Sequence, residues 1–254
     1  MLLQTTTQKI TLSILAIAFL VTTGKDWFDF YSCGAVGQCL SDAGVLQLYT
    51  KSIMTTMLTV LAFLMAPGTF SGRDGKLLKL AFVFSLVADY SFSLIKAAKP
   101  DAGNLSTILG ITFFMVFQSI LIYRHSRKSE SDVGVPKVYG LLAAAVVAGI
   151  VLKVTHTLNL TTAVVAVYAV FVITSVVVGI LAPRKGYFPA KNAQLIRWGM
   201  VLFFCCDAMV GLSMVPGEDH SALQAVAEVA NNIIWWFYVP AQLMLIRATV
   251  KPQA

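Results

Sequence analysis

Charge is scarce in this chain, at 12% of residues against 57% hydrophobic ones. Acidic groups are rarer still, 12 Asp and Glu against 19 Lys and Arg. A soluble fold of 254 residues does not need so much apolar surface, so a soluble domain is excluded and a polytopic membrane protein is implied. Cysteine is sparse too. No Cys-x-x-Cys spacing occurs among the four cysteines, and the three histidines are scattered, so neither a metal site nor a metal cofactor is expected. The last three apolar runs hold no interior lysine, which excludes a retinal Schiff base. Helix-interrupting proline is almost missing. Seven of the eight prolines (67, 100, 136, 183, 189, 216 and 252) fall between apolar runs or in the tail, and Pro240 alone falls within one. That pattern argues against a site built from broken helices at mid-membrane.

What is present is a series of apolar runs. They predict eight helices at about 10–23, 45–66, 77–97, 104–123, 137–154, 159–182, 194–215 and 223–247. The first run is short, but no small-x-small cleavage site follows it, so it is read as a helix and not as a signal peptide. Trp27, Phe28, Phe30 and Tyr31 are read as interface aromatics in the connection after it. The fold class expected is all-α, a transmembrane bundle of eight helices forming a single integral membrane domain over 1–254. All the Lys and Arg residues except Lys25, Lys51, Lys96, Lys99 and Lys153 lie at the N-terminus, the even-to-odd connections or the C-terminus. The bias places both termini in the cytoplasm, in the inner membrane if the source is a bacterium. It also makes the net charge of +7 an orientation signal, so no nucleic-acid partner is expected. Cys33 and Cys39 then face outward, where both a disulfide and two free thiols remain open.

Two carboxylates stand out. Asp207 lies in Leu202-Phe-Phe-Cys-Cys-Asp-Ala-Met-Val-Gly-Leu212, ten residues after Arg197, and Asp89 lies ten residues after Lys79 in a similar stretch. An ionisable side chain so deep is costly and faces a polar interior or a partner. The bland alternative is a protonated Asp that only bonds a neighbouring helix. Residues spaced i, i+4 and i+7 share a helix face. Ser85, Asp89, Ser93 and Lys96 form one polar stripe, Asn231, Trp235, Tyr238 and Gln242 a second, and Lys51, Thr55 and Thr59 a third. Each alone could be interhelical packing. Together with Asp207 they predict a polar cavity in which Lys51 is placed to pair with Asp89. Cys206 has no base beside it and reads as a packing residue. The motifs Phe114-x-x-x-Gln118 and Tyr238-x-x-x-Gln242 follow the two Asp stretches in the same order. That is the pattern of a four-plus-four parallel pseudo-repeat, with chance likeness between apolar helices as its alternative.

These residues resemble the YhhN-type lysoplasmalogenase family of eight-helix membrane enzymes. The likeness covers the second to eighth helices. Gly199, Phe203 and Asp207 match a Gly-x-x-x-Phe-x-x-Ser-Asp pattern, with Cys206 in the Ser position. Asp89 matches a Gly-Asp pair, with Ala88 before it, and Lys51-Ser52 stands for Lys-Pro. Tyr168, Tyr238 and Gln242 match, as do Gly110 and Phe114. Gln118 replaces the family's His, and Gln cannot shuttle a proton as His does. The resemblance implies a membrane hydrolase that cleaves the vinyl ether bond of lysoplasmalogens to a fatty aldehyde and a glycerophospho head group, without a cofactor. Its implied partners are the lysophospholipid substrate and membrane lipid. Two carboxylates suit that chemistry, a protonated one (Asp207) as acid and an ionised one (Asp89) as base or cation stabiliser. The substrate-binding set is Lys51, Tyr90, Gln118, Tyr168, Asn231, Tyr238 and Gln242. The rival reading is a non-enzymatic carrier or binder of a lipid or small molecule in the same cavity.

Overall fold

The computed structural model describes residues 5–33, 40–65, 68–95, 98, 104–131, 135–214 and 222–252, leaving aside the side chains of 33, 40–45, 47 and 94. Eight long helices run through them. They are α1 (Thr6–Cys33), α2 (Leu40–Met65), α3 (Gly72–Tyr90), α4 (Leu105–Ser126), α5 (Pro136–Val154), α6 (Leu160–Ile180), α7 (Ala190–Ser213) and α8 (Ala222–Arg247). A π-helical turn, Ser91–Ile95, extends α3, and a one-turn helix, Ala182–Lys185, follows α6. That short helix ends at Gly186, whose φ of 71° is a left-handed conformation natural to glycine. Seven of the eight long helices, all but α3, are long and apolar enough to cross a membrane by length and composition. The chain is an integral, multi-pass membrane protein.

Three helices depart from the predicted bounds by five residues or more, α2 by starting at Leu40. α1 continues through the expected connection to Cys33. Nothing between Gly24 and Cys33 breaks it, and Trp27 meets Phe30 and Tyr31 at i+3 and i+4, with ring centroids 5.7 and 5.9 Å apart. α3 starts five residues early because Ser71 caps it, its Oγ accepting from the Asp74 N–H at 3.2 Å. Whether Cys33 and Cys39 form a disulfide or stay as two thiols, left open by the sequence, lies outside the described residues.

The packing follows a closed order. α2, α3, α4, α6, α7 and α8 each touch the next, and α8 returns to α2. α1 lies against α2 and α8, and α5 against α6. The predicted pseudo-repeat fits this order. Contacts α1–α2, α2–α3 and α3–α4 correspond to α5–α6, α6–α7 and α7–α8, and α4–α6 corresponds to α8–α2. Leu58, Leu61, Phe82, Phe117, Phe203 and Leu245 are buried where these helices meet. The outward faces carry Ile17, Leu20, Val147, Ile150 and Val154, as a lipid-facing surface requires.

One end of the bundle is tied together by polar contacts. Gln8 Nε2 donates to the Leu64 carbonyl at 3.2 Å, so the start of α1 meets the end of α2. Thr69 bridges Val250, and Asn192 donates to the carbonyls of Ala248 and Val250 at 2.7 and 2.9 Å. Tyr187 donates to Glu130 at 2.7 Å. The α2–α3, α4–α5 and α6–α7 connections therefore share this end with residues 248–252. At its centre Asp74 accepts from Arg124 through both oxygens, at 2.8 and 2.9 Å, and neither side chain is exposed.

Candidate functional site

A cavity of about 280 Å³ lies inside the helix ring. Asp89 from α3, Asp207 and Cys206 from α7, Tyr168 from α6, Asn231 and Tyr238 from α8 and Lys51 from α2 all line it. Phe92, Ile111, Phe114, Val165, Ile234 and Trp235 make the rest of the wall largely apolar. The two carboxylates are within electrostatic range of one another. Six of the nine residues singled out in the sequence thus meet in one space.

The two carboxylates have different surroundings. Tyr238 Oη donates to Asp89 Oδ2 at 2.5 Å. With its only proton committed there, Tyr238 must accept from Ser85, whose Oγ lies 2.9 Å away. Ser85 in turn accepts from Gln242 Nε2 at 3.2 Å. Three donors are thus aligned toward one carboxylate, across α8 and α3. Asp207 accepts only one side-chain hydroxyl among the described residues, that of Tyr168 at 3.0 Å. An ionised carboxylate suits the first setting, because only an acceptor completes the chain. A protonated one suits the second, where a single hydroxyl is the one side-chain hydrogen-bond partner among the described residues.

Local sequence explains the placement. Ser85 stands one helical turn before Asp89, and Gln242 one turn after Tyr238, so each pair shares a face. Directly after Asp89 and Tyr90 the helix widens into its π-helical turn, which carries Phe92 to the cavity wall. Gly110 makes room for that ring, since a Cβ there would lie 2.5 Å from Phe92. Gly199 lets α7 approach α8, since its Cβ would sit 3.3 Å from the Ala241 carbonyl.

Three of the predicted site residues are not on the cavity wall. Tyr90 turns to α2, its hydroxyl 2.7 Å from Thr56 Oγ1. Gln242 lies behind the wall, at the far end of the donor chain. Gln118 is buried near Tyr168, and its amide makes no hydrogen bond within normal geometry among the described residues. The threonine stripe of α2 serves packing: Thr55 and Thr59 bond to carbonyls of their own helix, and Thr59 also to that of Phe82. Lys51 does not form the anticipated ion pair with Asp89. It lies in the field of Asp26 on α1, a residue that the sequence places in a connection and so gives no site signal. Ser85 belongs to the polar stripe of α3, but its place in the site has no sequence signal, since its partner is 157 residues away. Lys96 lies outside the described residues.

Comparison with known proteins gives one result. Neither the curated proteins nor the solved structures contain a match. The family model of the YhhN family matches residues 46–249, from α2 to just beyond α8, and so includes every residue of the cavity wall. The chain belongs to the YhhN family.

Proposed function

We propose that this protein hydrolyses the vinyl ether bond of lysoplasmalogens inside the membrane, with Asp207 as general acid and Asp89 as general base. The observation that carries the reading is the pair of carboxylates on one largely apolar cavity in unequal surroundings, Asp89 at the end of a three-donor chain and Asp207 beside a single hydroxyl. YhhN membership supports it, because lysoplasmalogenase activity is associated with that family.

The chemistry follows from the bond. A vinyl ether is electron-rich at the carbon farther from oxygen, so Asp207 delivers its proton there and a C–H bond forms. The resulting oxocarbenium ion is stabilised by the Asp89 carboxylate, whose charge counts for more in a low-dielectric site. Water then attacks the carbon next to oxygen while Asp89 takes a proton, giving a hemiacetal. On collapse the Asp207 carboxylate removes the hemiacetal proton, and protonated Asp89 protonates the departing glycerol oxygen. The products are a fatty aldehyde and a glycerophospho compound, and both carboxyl groups return to their starting states. Glycosidases divide acid and base between two carboxylates for a related cation.

The test is turnover of a purified lysoplasmalogen in heavy water, with the aldehyde reduced as it forms. Proton delivery to carbon places one deuterium on the carbon next to the aldehyde. A carrier yields no aldehyde, and cleavage without deuterium at that carbon overturns the mechanism.

A further inference from the structure

A second concavity lies away from the cavity, where the first turns of α7 meet the last turns of α8. It is an open groove of about 720 Å³, and its lining shares no residue with the cavity wall. We propose that it is a binding site for an anionic glycerophospholipid, with the phosphate held by Lys191 and Arg247.

Its polarity is graded along the helices. Lys191 and Arg247 stand at the bundle end that gathers the even-to-odd connections. Leu195 and Trp198 follow Lys191 on the same face of α7, roughly 6 and 10 Å deeper at helical rise. Leu243 and Met244 precede Arg247 on α8 and lie beside them. A ligand that fits must be anionic at one end and apolar beyond it. A free phosphate would leave the apolar shelf unused, and a neutral lipid would leave the two cations without a counter-charge.

Charge complementarity identifies the occupant. No Asp or Glu lines the groove, and neither Lys191 nor Arg247 forms an ion pair among the described residues. The groove is also firmly built. Asn192 is pinned to the carbonyls of Ala248 and Val250, and Gly199 brings α7 onto Met244, closing the floor by direct helix contact. Trp198, 58% exposed, supplies an amphipathic ring of the kind found at the membrane–water boundary. Paired basic residues between helices at this depth recognise acidic head groups.

The experiment uses the full chain in neutral detergent. Bound lipid is counted by native mass spectrometry, and thermal unfolding is followed with added phosphatidylglycerol, phosphatidylcholine or glycerol phosphate. Phosphatidylglycerol should be retained and should raise the unfolding temperature, with little or no shift from the other two. Lys191→Gln/Arg247→Gln should lose at least tenfold of the apparent affinity. The swap Lys191→Arg/Arg247→Lys should keep it, which separates lost binding from lost folding. Lys76→Gln/Lys137→Gln, which removes two exposed charges elsewhere on this end, should bind as the parent does. Equal shifts from both lipids, a full shift from glycerol phosphate, or equal loss in the two Gln double variants would each overturn the site.

Discussion

Tyr238 on α8 donates its hydroxyl proton to Asp89 on α3 across 2.5 Å, joining two residues 149 positions apart. A hydrogen bond to a charged group contributes about 1.5–3 kcal/mol, equivalent to roughly 10- to 150-fold in rate if it is used in the transition state. Tyr238→Phe should lower kcat by about that factor with the helical content unchanged. Ser85→Ala acts one bond further back and should cost less. Aldehyde release with a parallel unfolding curve measures both. Full activity in Tyr238→Phe would remove the donor chain from the mechanism.

The two carboxylates should separate by variant. General acid catalysis contributes about 10²–10⁴-fold, so Asp207→Asn should lose at least that much while still binding lipid. Asp89→Asn should also be slow, because the cation loses its counter-charge. Lipid binding measured beside turnover distinguishes lost chemistry from a lost cavity. Normal turnover by the double Asn variant would exclude both roles.

Cavity shape depends on Gly110, where an added Cβ would meet the Phe92 ring at 2.5 Å. That ring is the end of a mobile side chain and part of the wall, so it should yield into the cavity. Gly110→Ala should therefore raise KM more than it lowers kcat, with a stability cost of about 1–3 kcal/mol from overpacking. Gly110→Ala combined with Phe92→Leu should recover much of the KM, a rescue that a purely structural defect in α4 would not show.

Much of this architecture was legible in the sequence because lipid imposes simple rules. Long apolar runs mark helices, and a carboxylate such as Asp207 in the middle of one needs an interior to face. The order of Asp89, Gln118, Asp207 and Gln242 is also the pattern of a four-plus-four repeat, with which most of the helix contacts agree. What stayed hidden were pairings over long sequence distance. The basic residue count marks Arg124 as an orientation signal, yet it is fully buried against Asp74, 50 residues away. Lys51 could not be assigned to Asp26 without knowing that α1 continues as a helix through that position. Aromatic-rich segments such as 27–31 read equally as interface loop or helix end, and only packing decides.

The Asp74–Arg124 pair yields a stability prediction. Removing one member of a buried ion pair strands the other and costs about 3–5 kcal/mol. Asp74→Ala should lower the unfolding temperature far more than the substitution of an exposed charge such as Lys76→Ala. The double variant Asp74→Leu/Arg124→Met should be less destabilised than Asp74→Ala, because no charge is left buried. Unfolding of the three proteins in one detergent decides this.

Orientation follows from the same end of the bundle. Ser131 is exposed in the α4–α5 connection, which the excess of basic residues at this end predicts to be cytoplasmic. A Ser131→Cys variant in intact cells should resist an impermeant thiol reagent and react once the membrane is opened. Efficient labelling from outside would reverse the topology.

Glu130 closes the polar latch at this end and gives it a pH dependence. Its carboxylate accepts from Ser71 at 2.7 Å and from Tyr187 at 2.7 Å, and Arg127 lies 3.6 Å away. The Ser71 bond, then that of Tyr187, with Arg127 and Arg73 adding to them, holds its pKa below the ordinary glutamate value. A group whose folded pKa is depressed stabilises the fold above its unfolded pKa and loses that contribution as pH falls through the folded value. The latch should therefore be fully formed at neutral pH and weaken only below about pH 4.5, where an unfolded glutamate begins to bind its proton. Glu130 is largely exposed, so the effect should be small, a degree or two in unfolding temperature. Glu130→Gln should lower that temperature at pH 7, and the difference between the two proteins should shrink as the pH falls below about 4.5. A difference between the two proteins that stays constant across that range would show that the carboxylate charge does not hold the latch.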